Sequence, residues 1–368
     1  MASFLLYFLV FSHIFMQKYD YIIAGAGCAG LSLAYHLVRS EHLQDKRILL
    51  LDIAKKVDDD RTWCYWSADQ AYFSEIPQHS WTNITFASHR IQKSQSIQPL
   101  SYHCLRGIDF YEHIYKILDD HPQVEQRWER ILQLKNTDEG ASVKTEQGLY
   151  QAEYVFSSIA DASFKSQKEN YYHTRQHFKG YFIKTQEYAF DTDEVTLMDF
   201  RAQSEEQPRF FYVLPFSPRE ALVEFTVFSD GFLENREYEK ELDIYIKEKL
   251  GISSFHILAE ENGVIPMTDF PFKRRSGKSI IHLGTQGGLT KATTGYTFQN
   301  IQKACQEIVR KLDQGERPYY HLQSKARFGF YDRLLLHIIK YRKERVAPIM
   351  QQLFMANDFK KVLKFLDE

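Results

Sequence analysis

Three glycines, Gly25, Gly27 and Gly30, spell G-x-G-x-x-G within IIAGAGCAGLSL, a spacing that suits the binding of a dinucleotide. The first allows a tight turn, the second lets backbone approach a pyrophosphate, and the third permits close packing of the helix that follows. That helix then presents unpaired N–H groups to the phosphates. Asp52 ends the next apolar run, about 20 residues beyond the glycines, where a carboxylate accepts the hydroxyls of an adenosine ribose. The motif does not choose between FAD and NAD. No second copy follows it, so one tightly held dinucleotide is expected.

Glu224 lies inside ALVEFTVF, which reads as a strand. Alternation puts Leu222, Glu224, Thr226 and Phe228 on one face and Ala221, Val223, Phe225 and Val227 on the other. Apolar side chains therefore surround the carboxyl group whichever face is buried. Burial disfavours the anion and makes a glutamate a usable proton donor near neutrality. On a wet face the same residue is only a solvated charge, and the residues alone leave both readings open.

Arg61 in DDRTWCYW can bind a phosphate or pair with a carboxylate, while Trp63 and Trp66 either line a cavity or pack a core. The stretch GTQGGLTKATTGYTFQNIQ, residues 284 to 302, sets Gly284, Gly288, Thr294 and Gly295 between a short apolar strand and a helix. Its backbone amides can face a flavin ring or its phosphate; equally, it can be a flexible connection. Thr285 stands where many flavoproteins carry an acid that holds the ribityl chain. Asp269 in IPMTDFPF is a further carboxylate, read as a turn residue because prolines flank it.

These residues need a scaffold, and the patterns supply one. Residues 19–24 and 47–52 read as buried strands around a helix at 28–40, a βαβ unit. Strand-like alternation continues to about residue 105, a helix is expected over 108–120, and VFSSIAD reads as a returning central strand. From 175 to 270 strands dominate, interrupted by one amphipathic helix near 235–250. A short strand at 279–284, a helix from about 297 and a helical C-terminus complete an α/β chain. The expected division is a discontinuous nucleotide domain (18–75, 106–165 and 275–320), a substrate domain (76–105 and 166–274) and C-terminal helices (321–368).

Composition narrows the partners. Forty-six Lys and Arg nearly cancel forty-eight Asp and Glu, so no overall field points to nucleic acid. The cysteines, Cys28, Cys64, Cys104 and Cys305, include no CxxC pair. Neither a zinc site nor a secreted disulfide framework is expected; a reducing cytosol fits best. The run MASFLLYFLVFSHIFM is shorter than the roughly 20 residues a spanning helix needs. It is either a short membrane-surface anchor or an extension upstream of a start at Met16.

Taken in order, GAGCAGLSLAYHL, DDRTWCYW, QHFKGYFI, LVEFTVFS, GVIPMTDFPF and LGTQGGLTKATTGYTF resemble the lycopene cyclase family, especially its bacterial beta-cyclase branch, over about residues 19–300. The resemblance implies a glutathione-reductase-like, FAD-binding Rossmann fold with an inserted mixed β-sheet substrate domain. It implies reduced FAD used without net redox change, with NAD(P)H as its reductant. Glu224 becomes the catalytic acid, and Gly25, Gly27, Gly30, Asp52, Arg61, Gly284, Gly288, Thr294 and Gly295 become the cofactor-binding set, with no metal. The implied activity is cyclisation of the acyclic ends of lycopene to beta rings. A carotenoid substrate implies a cytoplasmic protein held peripherally at the inner face of the membrane. The rival classes on these residues are an FAD-dependent monooxygenase or isoprenoid reductase, and a non-catalytic flavin-binding protein.

Overall fold

In the first two strands, Gln17–Ala24 and Ile48–Asp52, nearly every residue from Tyr21 on is apolar, because both faces of the sheet they form are covered. The computed structural model describes residues 17–367 apart from 69, 160–169, 203–206 and 323–325, so the apolar run 1–16 lies outside the described residues. The two strands pair in parallel, and Leu149–Ser157 pairs in parallel on the other side of Gln17–Ala24. Ile280–His282 extends the sheet beyond it, so the chain returns to this layer twice after leaving it.

The two faces of the sheet are covered differently. Tyr21 and Ile23 point to a layer containing the helices Cys28–Val38, Gly107–Asp119 and Phe298–Asp313. Ile22 and Ala24 point the other way, onto Ala141 and Val143 of a hairpin, Ile131–Thr137 with Gly140–Thr145. The sequence reading had no place for this hairpin, whose polar, alternating strands carry few apolar residues. Cys28–Val38 can lie close against Phe298–Asp313 because small residues face the contact, and buried Gln302 is satisfied there by donating to Ser32 Oγ at 2.8 Å.

A seven-stranded sheet forms the second layer. Its order is Phe255–Thr268, His173–Thr185, Glu220–Ser229, Arg209–Ser217, Glu194–Asp199, Asn83–Ala87 and Gln92–Ser96. One face packs on the helix Asn235–Ile244, which widens into a π turn over Tyr245–Lys249 rather than running on as a single α-helix to 250. Tyr245 stacks on Phe211 at 3.8 Å between ring centres. The opposite face meets the C-terminal helices, Ala326–Tyr341, Val346–Ala356 and Phe359–Asp367, with Phe86 stacked on Phe354 at 4.5 Å. A small sheet of Thr62–Ser67, Ser101–Arg106 and His79–Trp81 joins the two layers and carries the DDRTWCYW tryptophans. Among the described residues no helix is long and apolar enough to cross a membrane, which says nothing of strands.

Candidate active site

The motif glycines occupy three different situations. A Cβ on Gly30 would collide with the Gly25 carbonyl oxygen, so this glycine lets the helix close onto the turn. At Gly25, where φ is +108°, an added Cβ would strike Ser158 Oγ. Gly27, extended at φ −82° and ψ −170°, would meet nothing within 4 Å, and its open side belongs to a cavity. Asp52 braces this turn: its carboxylate accepts the N–H of Ala26 and of Ile53, both at 2.6 Å.

That cavity, of about 550 Å³, is the meeting point of both layers. Gly27 and Ala29 line it from the N-terminus of the helix Cys28–Val38, Ser158 from just past the end of the strand Leu149–Ser157, and Gly284, Thr294 and Gly295 from the glycine-rich loop. Gly284 and Gly295 hold φ of +58° and +75°, which bends the loop back on itself around the space. Gly288 is not on the wall; it abuts Phe272, with 3.3 Å from an added Cβ to the Phe272 Cβ. Arg61 lines the cavity, while its guanidinium donates to the carbonyls of Asp60 and Asn262. Trp63 lines it too and stacks on Phe298 at 5.8 Å; Trp66 is instead core, edge-on to Tyr296 at 4.6 Å. Asp269 is a turn carboxylate, accepting the Tyr172 N–H at 2.8 Å and pairing with Arg333 at 3.1 Å.

A flavin dinucleotide fits these walls. The empty side of Gly27 leaves room for phosphate against the helix N-terminus. Gln176, almost wholly buried, points an unpartnered Oε1 at this space, an acceptor of the kind an isoalloxazine N–H satisfies.

Glu224 reaches the same cavity from the opposite wall. Both faces of its strand are covered: Leu222 and Phe228 join one core, and Val223, Phe225 and Val227 the other. The surface Glu224 keeps is turned to the cavity. Burial pushes its carboxyl well above the usual glutamate range, a neighbouring Glu261 adds to that, and a 2.7 Å hydrogen bond from Thr226 Oγ1 opposes it. Glu261 is itself raised by burial, against the pull of a 2.6 Å bond from Thr62 Oγ1 and of its hydrogen bond with Glu224. Tyr212, Tyr296 and Tyr102 complete this end, their phenols held neutral chiefly by burial. A protonated acid in an aromatic, water-poor pocket can give a proton to a weak base and tolerate the cation that results.

The family model for lycopene cyclase proteins matches residues 20–368. The chain belongs to the lycopene cyclase family. A lycopene beta-cyclase of Pantoea ananas is 23% identical over 297 residues, covering 76% of this chain and 71% of that one. Among solved structures, a geranylgeranyl bacteriochlorophyll reductase-like protein of Thermoplasma acidophilum superposes with a TM-score of 0.60 at 12% identity, over 96% of this chain and 92% of its own. The flavin-dependent brominase Bmp2 gives 0.61 at 14% identity, over 95% and 94%. This lycopene cyclase family member thus has the α/β fold of FAD-dependent oxidoreductases and monooxygenases, as the family resemblance implied.

Of the ten residues expected to be catalytic or cofactor-binding, six share the cavity, Gly27, Arg61, Glu224, Gly284, Thr294 and Gly295, and Trp63 and Thr285 line it beside them. Gly25, Gly30, Asp52 and Gly288 shape the turns behind it. Sequence reasoning missed Glu261 and Gln176. Glu261 sits in EENGVIPM, where an Asn-Gly pair and a proline advertise a turn, whereas the segment is the long strand Phe255–Thr268. The signal that was present is the apolar run VIPM following the acid.

Proposed function

We propose that this chain is a lycopene beta-cyclase that closes the acyclic ends of lycopene to beta rings, with Glu224 as proton donor and no net redox change. The observation that carries this reading is the one cavity shared by the open face of Gly27 and the raised carboxyl group of Glu224. The Pantoea ananas relative supports the ring type.

Glu224 gives its proton to the terminal double bond of the substrate. The tertiary cation so formed is attacked by the next double bond, and a ring proton is lost to Glu224. Atoms in equal atoms out, so the reaction is an isomerisation. Leu214, Leu222 and Phe178 wall the pocket with apolar surface, which folds the chain end toward ring closure and keeps water from the cation. Trp63, Tyr212 and Tyr296 offer aromatic faces, each worth roughly 0.5–2 kcal/mol to a nearby cation.

FAD would be held by Gly27 at the dinucleotide end, where Gly25, Gly30 and Asp52 shape the turn behind it, and by Arg61, Gly284, Thr294, Gly295 and Gln176 around the ring, with Gly288 shaping the loop that carries them. Bound in the reduced form, maintained by NAD(P)H, it supplies negative charge beside the pocket. The substrate dissolves in lipid, which supports peripheral association with the inner face of the membrane. Val264, which lines the cavity and is 49% exposed, gives its mouth an apolar lip.

Expression in lycopene-accumulating cells tests the whole reading: ring-closed pigments should appear. Glu224→Gln should bind flavin and leave lycopene unchanged; continued cyclisation would remove Glu224 from the role of acid. NAD(P)H consumed in proportion to product would mark a redox flavoenzyme instead.

A further inference from the structure

Glu224 is one half of a pair. Its strand and the strand Phe255–Thr268 flank His173–Thr185, and both Glu224 and Glu261 are in register with the same residue of that central strand, Gly180. Any side chain at Gly180 would occupy the gap: an added Cβ would lie 2.8 Å from Leu222 Cδ1, 3.2 Å from Glu261 Cγ and 3.5 Å from Glu224 Cβ. Two residues that stand two strands apart therefore bring their carboxyl groups into hydrogen-bond contact across a glycine, and both line the cavity. Each carboxyl has its own threonine, Thr226 for Glu224 and Thr62 for Glu261. Each threonine restrains its carboxyl by a hydrogen bond without bringing a charge to neutralise the pair.

Two carboxylates in contact cannot both ionise cheaply in a dry site, so such a pair keeps one proton between them. We propose that Glu261 is a positioning residue for the proton donor: hydrogen-bonded to Glu224 across the Gly180 gap, it fixes the orientation of the Glu224 carboxyl and keeps it protonated between turnovers. The inference rests on Glu224 being the acid. Proton balance is preserved, because the proton Glu224 gives to the substrate equals the one the ring cation returns. While the cation exists, the pair carries two negative charges beside it; once the proton returns, it carries one.

Other groups around the pair are the Cys64 thiol from Thr62–Ser67, the Tyr212 phenol from Arg209–Ser217 and Tyr296 from the glycine-rich loop. Asp59 and Arg61 act on Glu261 with opposite signs from the segment that precedes Thr62, and the Cys104 thiol faces it from Ser101–Arg106. Glu261 is the one carboxylate in contact with Glu224 among the described residues, so it sets the direction of any change on substitution.

The experiment is an infrared pH titration of the purified flavoprotein. The carboxylic-acid band lost in Glu224→Gln identifies the proton of the pair. In Glu261→Gln that band should persist but vanish at a pH lower by on the order of one unit, because a neutral amide no longer opposes ionisation of Glu224. The alkaline limb of cyclisation should move down with it. Gly180→Ala, which keeps every charge and wedges a methyl between the two groups, should shift both in the same direction by less. An unmoved band and limb in Glu261→Gln, with flavin bound, would overturn the role of Glu261 while leaving Glu224 as acid. Cyclisation surviving in Glu224→Gln would instead sink the reading beneath it.

Discussion

At Gly27 and Gly30 the same substitution, to alanine, has different consequences. A methyl on Gly30 has nowhere to go, since the Gly25 carbonyl already fills its place. Gly30→Ala should destabilise the protein by roughly 3 kcal/mol or more, visible in denaturant melts with or without flavin. A methyl on Gly27 meets open space and a backbone that accepts it, so Gly27→Ala should melt like the parent and bind FAD about tenfold or more weakly, a loss of ~1.4 kcal/mol. Equal behaviour of the two variants would contradict the division of labour between them. Glu224 makes a pH prediction of its own. Its folded pKa is raised, so from the unfolded glutamate value, about 4.3, up to that folded value the native state holds a proton the unfolded chain has lost. Stability therefore falls as pH rises through this window. Glu224→Gln removes this residue's share of the dependence, and its Tm should gain on the parent as pH rises from about 5 toward that folded value. Activity follows the same proton in the parent, declining as pH climbs through the raised value.

The glycine-rich loop is held from outside as well as by its own turns. Lys291, almost buried, pairs with Asp332 of the helix Ala326–Tyr341 at 2.6 Å, and Thr293 Oγ1 donates to the same carboxylate oxygen at 2.7 Å. Tyr320 fastens the loop's start, donating to the carbonyls of His282 and Gly287. Asp332→Ala strands a nearly buried ammonium and should cost about 3 kcal/mol, whereas adding Lys291→Met should recover most of it, a coupling that a double-mutant cycle measures. Flavin affinity should fall in the single variant and return in the double. None of this clasp is visible in the sequence, because its partners lie far apart in the chain. What was legible is local: the βαβ unit, the return to the sheet at VFSSIAD, whose first three residues end the strand Leu149–Ser157 and whose last two lie outside the described residues, and the strand around Glu224 all follow from apolar periodicity and glycine punctuation. The pairing of Glu224 with Glu261 was not, since it depends on a third strand whose one relevant residue, Gly180, has no side chain to advertise a contact. The hairpin over 131–145 escaped for a related reason: its buried apolar side chains, Ala141 and Val143, are too few to make a pattern.

With acidic and basic residues nearly balanced, the membrane association proposed above has to come from local features rather than from the net charge. The helix Ala326–Tyr341 has two. Its Asp332 side is tied to the cavity loop, while Phe330, 63% exposed, and Leu334 and Tyr341 share an outward face at helical spacing. Arg327, Arg333, Lys340 and Arg342 accompany that face in sequence, the pattern of a helix that lies in a membrane interface. Inserting Phe330 and Leu334 into acyl chains is worth ~3 kcal/mol even if only partly achieved, about a hundredfold in partitioning. The double variant Phe330→Asp, Leu334→Asp should therefore leave anionic vesicles that the parent cosediments with, and lose at least about tenfold of its activity on vesicle-borne lycopene. On detergent-dispersed lycopene it should work like the parent, since neither residue lines the cavity. Equal cosedimentation of variant and parent would move the membrane contact elsewhere. Equal loss on both forms of substrate would mean that this helix acts through the loop it anchors rather than through lipid.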